Sequence, residues 1–97
     1  MDAILLLNRP RAMPVISRFF GIAIAILYRD HEPPHFHASY AEFEITVGIS
    51  SGAVTGRFPR RALALVLEWR DLHQEQLMSN WHRARRGEPL VSISPLE

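Results

Sequence analysis

From Arg60 to Arg86 the chain runs without a glycine or a proline, with Pro59 just before this stretch and Gly87 and Pro89 just after it. Proline suits a first helical turn, and glycine followed by proline ends one, so the stretch predicts a single long helix. At about 100° per residue, Leu65, Trp69, Ala62, Val66, Leu77 and Ala84 fall within one stripe of roughly 120°, with Glu68, Asp71, Glu75 and His82 opposite. A helix with one apolar stripe must bury it against another layer, and the residues before Pro59 supply that layer.

Those residues read with a period of two. Gly21 to Asp30 places Ile22, Ile24, Ile26 and Tyr28 on one side and Ala23, Ala25 and Leu27 on the other, which predicts a central strand. His31-Glu32-Pro33-Pro34 breaks it, because two prolines remove two backbone donors. A short strand follows from His35 to Ser39, then a tight turn at Tyr40-Ala41. Phe43, Ile45, Val47 and Ile49 next alternate with Glu42, Glu44 and Thr46 in a half-buried strand. Ser50-Ser51-Gly52 makes a second turn and Ala53 to Arg57 returns; Leu90 to Ser94 alternates again and suits a final edge strand. The expected fold is α+β, an antiparallel meander of about four or five strands packed against one long C-terminal helix.

With 97 residues, 47% of them hydrophobic, there is enough apolar surface for one core and no room for a cleft between lobes. A disulfide scaffold is excluded by the lack of cysteine, and a dedicated nucleic-acid binder is disfavoured by a net charge of +1. Ala3-Ile4-Leu5-Leu6-Leu7 is too short to be a signal core or to cross a bilayer, so a cytoplasmic location with no membrane contact is expected. Residues 1–12, ending in Asn8-Arg9-Pro10-Arg11, read as a flexible extension of a domain spanning residues 13–97, with translation starting at Met1 or at Met13. The competing reading makes Ile4 to Leu7 an edge strand.

The chemistry concentrates in Asp30-His31-Glu32-Pro33-Pro34-His35-Phe36-His37. His35 and His37, two apart on a strand, project from one face. Together with His31 and a neighbouring carboxylate they match what zinc or another borderline divalent metal takes, two imidazoles at about 2.0–2.1 Å and an oxygen ligand. The same pair can instead work as general acid and base, or can hydrogen-bond structurally while Phe36 anchors the loop. His73 lies within the apolar stripe, so its ring needs a partner. One arrangement lays it across the sheet toward His35 or His37 as a composite site. Arg60 and Arg61 occupy the first helical turn, where the macrodipole disfavours cations, and this hints at an anionic partner. Phosphate-loop, cysteine-metal and serine-elbow motifs are missing.

The chain resembles a bacterial family known as domain of unknown function 4160. The resemblance is carried by Met13-Pro14-Val15-Ile16-Ser17-Arg18-Phe19, Asp30 to Ala38, Pro59-Arg60-Arg61-Ala62-Leu63, Leu67-Glu68-Trp69 with Leu72-His73, Asn80-Trp81, Gly87-Glu88-Pro89-Leu90 and Pro95-Leu96-Glu97. It covers residues 13–97. Family members usually begin at the methionine matching Met13 and carry glycine where this chain has Ala41. Their genes often lie beside those of a second small family, domain of unknown function 2442, in a two-gene arrangement like a toxin–antitoxin module. The resemblance therefore implies a cognate small partner protein. If this chain is the toxin, the matching chemistry is RNA cleavage, with His35, His37 and His73 moving protons and Arg60 or Arg61 stabilising charge on phosphorus. A metal-binding or DNA-binding regulator and a purely structural interaction module, homo-oligomeric or not, stay open. Zinc is the one cofactor the histidine spacing can take.

Overall fold

A computed structural model describes residues 13–97. The expectations for residues 1–12, both the extension and the edge strand at Ile4 to Leu7, lie outside the described residues. Five strands form one antiparallel sheet in sequence order: β1 (Val15–Phe19), β2 (Ile22–Ala25), β3 (His35–Tyr40), β4 (Phe43–Gly48) and β5 (Val54–Arg57). The α+β meander is as expected, but the helical layer is not. Two helices follow the sheet, α1 (Arg60–Leu72) and α2 (Gln74–Arg86). Among the described residues, neither is long and apolar enough to cross a membrane.

The expected single helix breaks at His73, whose φ of −127° and ψ of 28° leave the helical region. Geometry supplies the reason. A straight helix from Arg60 to Arg86 would run about 40 Å, whereas strands of this length span only about 13–20 Å. The break at His73 divides the buried stripe in two: α1 buries Ala62, Val66 and Trp69 while α2 buries Leu77, Asn80, Trp81 and Ala84. Neither glycine nor proline marks the point. Leu77 N–H bonds the His73 carbonyl at 2.9 Å, so His73 serves as the first carbonyl of α2.

The strand boundaries also shift. β2 ends at Ala25 rather than Asp30, because beyond Ile26 the chain turns at Tyr28-Arg29, where the Arg29 N–H bonds the Ala84 carbonyl at 3.2 Å and Arg29 takes a φ of 53°. Its other partner, β1, is a strand the alternation did not flag. The β1–β2 turn is Phe20-Gly21, both with positive φ, the pattern of a two-residue hairpin loop. Between β3 and β4 the turn is Ala41-Glu42, one residue later than expected, since Tyr40 still pairs with Phe43. Ala41 takes a left-handed φ of 51°, the conformation that glycine adopts at least cost. At the β4–β5 turn, the Arg70 guanidinium donates to the carbonyls of Gly48, Ile49 and Ser50.

Leu90 to Ser94 forms no strand. Helical side chains hold this segment instead: Asn80 donates to the Val91 carbonyl and accepts from its N–H, both at 2.8 Å, and Trp69 Nε1 donates to the Ser94 carbonyl at 2.8 Å. One backbone bond, Ile93 N–H to the Ile16 carbonyl at 2.8 Å, ties it to β1. The core lies between the helices and one face of the sheet. Trp69 sits at its centre, 5.5 Å from Phe19 and 5.9 Å from Phe36 between ring centroids.

Candidate metal centre

Strand alternation sends Phe36 and Ala38 into that core and therefore turns His35 and His37 toward the opposite face, where His35 meets Trp81 of α2 and His37 lines an open groove. Cross-strand partners on this face are short: Ala25 and Thr46 flank His37, and Thr55 lies beyond Thr46. The result is a groove of about 640 Å³ whose wall includes Asp30, His31, His35, His37, Thr46 and Thr55.

Asp30 organises its floor. The loop from Ile26 to Pro34, with a cis Glu32–Pro33 peptide, returns the carboxylate beneath the start of β3, where it is 5% exposed. Asp30 Oδ2 lies 2.9 Å from His35 Nε2 and 3.3 Å from His37 Nε2, while Oδ1 accepts the His31 N–H at 2.8 Å. The other nitrogen of each ring also faces an acceptor. His35 Nδ1 is 2.8 Å from the Pro33 carbonyl, and His37 Nδ1 is 3.3 Å from Glu44 Oε2. Burial by itself raises the Asp30 carboxyl. The His31 N–H, the His37 contact and the positive charge available to His35 and His31 outweigh it and hold the carboxyl below its ordinary value.

This arrangement has a chemical consequence. A neutral imidazole carries one N–H, yet both rings are bounded by acceptors on both sides. Either additional protons fill the centre or a cation replaces them. A metal ion would use every group as placed: Nε2 of His35, Nε2 of His37 and an Asp30 oxygen would be its ligands, and the Nδ1 protons would go to Pro33 and Glu44. Such outer hydrogen bonds fix the tautomer and orientation of ligating histidines. The spacings of 2.9 and 3.3 Å are close to the ~3.3 Å separation of tetrahedral ligands about 2.0–2.1 Å from zinc. All three ligand atoms lie within 4.8 Å of one another.

His31, expected as the third imidazole, stands apart. Its side chain is 84% exposed and its Nε2 is 3.7 Å from Asp30 Oδ1, and the group whose ligand atoms lie together is Asp30, His35 and His37. His73 does not join either. It packs against Trp69 on the covered side of the sheet, with Nδ1 2.8 Å from Gln76 Oε1, where the helix break has placed it. Arg60 and Arg61 are exposed in the first turn of α1 and do not line the groove. The helical layer reaches the site through α2 instead. Trp81 lies 5.3 Å from the His35 ring, and Arg85 donates to the Asp30 carbonyl at 2.9 Å and pairs with Glu32 at 3.4 Å. Sequence reading missed Arg85, and nothing local to it gives a signal. Glu44 was legible in principle, because the short β3–β4 turn sets Glu44 opposite Ser39 and hence diagonal to His37 on the same face.

The sequence model of the family described as Domain of unknown function (DUF4160) matches residues 21–82. This chain belongs to that family. The matched span contains Asp30, His35, His37 and Glu44. Arg85 and the resembling stretches at Met13 to Phe19 and from Gly87 onward lie outside it. No curated protein and no solved structure matches the chain.

Proposed function

We propose that this DUF4160 domain binds one borderline divalent metal ion, zinc foremost, through Asp30, His35 and His37, and that the metal-bearing groove is its working surface within a toxin–antitoxin-like pair. The observation that carries the metal is the convergence of two Nε2 atoms on one buried carboxylate oxygen while both Nδ1 atoms are held by acceptors. With three protein ligands, a metal held here would keep a coordination position for water or substrate, the feature that separates reactive zinc sites from closed structural ones. The pairing with a cognate partner rests on the family resemblance. A ribonuclease working by histidines alone has less support, since both Nε2 atoms are committed to Asp30 and no arginine among the described residues lines the groove.

Zinc titration of the chelator-treated protein, followed by calorimetry and elemental analysis, tests the proposal. The expected stoichiometry is one ion per chain, lost in Asp30→Asn and His35→Ala and retained in His31→Ala and His73→Ala. A wild type that binds no zinc, cobalt or iron, or a His35→Ala protein that binds as tightly as wild type, overturns it.

A further inference from the structure

The two edges of the sheet are finished differently. The C-terminal segment lies along β1 and bonds it through Ile93, whereas all four residues of β5 are exposed and no described residue pairs with its outer side. The Ala53 carbonyl accepts from Gly48 on the inner side. Alternation along an antiparallel ladder then turns the N–H and C=O of Val54 and Gly56 outward. Unpaired edges of this kind are templates for another strand unless charge, proline or a bulge blocks them.

Three features make β5 selective. An apolar groove of about 490 Å³ runs beside it, lined by Phe43, Val54, Phe58, Pro59 and Leu63. Gly56 takes a φ of 107°, and a Cβ there would meet the Glu44 carbonyl of β4 at 2.7 Å, so this strand position admits only glycine and carries no side chain on either face. The flank is basic. Arg57, Arg60 and Arg61 are exposed and make no ion pair among the described residues, and α1 has no acidic residue in its first turn. Two arginines at a helix N-terminus are electrostatically uphill, a cost that an anionic group from outside would offset.

We propose that β5 and its flanking groove receive an extended acidic segment of a partner protein, which adds a sixth strand, seats alternate apolar side chains beside Val54 and Phe58, and places carboxylates against Arg57, Arg60 and Arg61. Strand addition of this type draws affinity from main-chain bonds and selectivity from side-chain pockets. A second copy of the chain does not fit, because edge-to-edge pairing would bring both arginine sets together. Nucleic acid has no use for an apolar groove or for strand donors and acceptors. The surface shares no ligand with the metal centre, so the zinc titration above fails or succeeds independently of it.

The test is a nuclear magnetic resonance titration of the isotope-labelled full chain with a short capped peptide of alternating glutamate and valine, and with its lysine–valine counterpart. Expected are shifts confined to residues 54–61, slowed exchange of the Val54 and Gly56 amides, and at least about tenfold weaker binding of the lysine peptide. Val54→Pro removes an outward N–H at the first strand position, where proline is tolerated, and should abolish binding with the remaining spectrum unchanged. Should that variant fail to fold, the double variant Arg57→Glu/Arg60→Glu serves instead, and its preference should invert toward the lysine peptide. Equal binding of both peptides, no shift on β5 at millimolar peptide, self-association through β5, or a short RNA moving the same amides each overturns the proposal.

Discussion

Phe36 and His37 are neighbours on β3 and belong to different molecules in all but the covalent sense. Phe36 is fully buried against Trp69 beneath two helices, while His37 opens on the opposite face between Asp30 and Glu44. On the covered face Phe36 packs among apolar side chains, and packing fixes its geometry. On the other face the cross-strand neighbours of His37 are short, and its fixed points are hydrogen bonds to carboxylates. A single strand thus carries both the core and the chemistry, and the period of two keeps them apart. Stability and site should therefore respond to different substitutions, even at adjacent positions.

The largest expected effect is on the covered face. Trp69→Ala removes a ring that is fully buried between Phe19, Phe36 and His73, and it also frees the Ser94 carbonyl held by Nε1. A loss of about 3–5 kcal/mol in denaturant stability is expected, together with release of the C-terminal segment to hydrogen exchange. A loss under about 1 kcal/mol would mean that the two faces are not divided as described.

How far these faces could be read from sequence follows from which signals are local. The meander from β3 to β5 is legible because Phe36 and Ala38, and Ile45 and Val47, alternate with polar residues over whole strands. β1 is not, since Val15-Ile16 is followed by Ser17-Arg18, and it earns its place by pairing with β2. β2 was overextended because hydrophobic alternation continues after the chain has turned away toward Ala84. The break at His73 follows from the length of the sheet, a property of tertiary structure that helical periodicity cannot encode. At the site, the histidine pair was legible from spacing. The identity of the third group was not, because Asp30 and His31 differ only in how the loop through Pro33 and Pro34 presents them, and Arg85 arrives from the far end of α2.

An intermediate effect of opposite sign is expected at the turn joining the two strands that hold His37 and Glu44. Ala41 is exposed with a φ of 51°, a conformation that costs a residue with a Cβ about 1 kcal/mol relative to glycine. Ala41→Gly should raise stability by about 0.5–1 kcal/mol, the gain being trimmed by the greater freedom of glycine in the unfolded chain. A denaturant midpoint that falls would show that Ala41 makes contacts outweighing its backbone strain. Zinc affinity should not change, because the Ser39–Glu44 register is kept.

The smallest effect on folding, and the sharpest test of the comparison, is His37→Ala. Its ring contacts Asp30 and Glu44 only at 3.3 Å, and Glu44 is more than half exposed. Removing it leaves Asp30 still held by His35 and by the His31 N–H. The metal-free variant should therefore melt within about 0.5–1 kcal/mol of wild type, because Asp30 keeps two of its partners. Zinc should then separate the two proteins. A ligand at a hundred times its dissociation constant stabilises the folded state by about 2.7 kcal/mol, so wild type should gain a clear rise in melting temperature that His37→Ala lacks. Phe36→Ala, one residue away, should show the reverse: a large loss without metal, and a zinc-dependent rise that persists wherever the variant is still folded. If His37→Ala instead costs as much as Phe36→Ala in the absence of metal, the open face is part of the folding core, and the division between packing and chemistry along β3 fails.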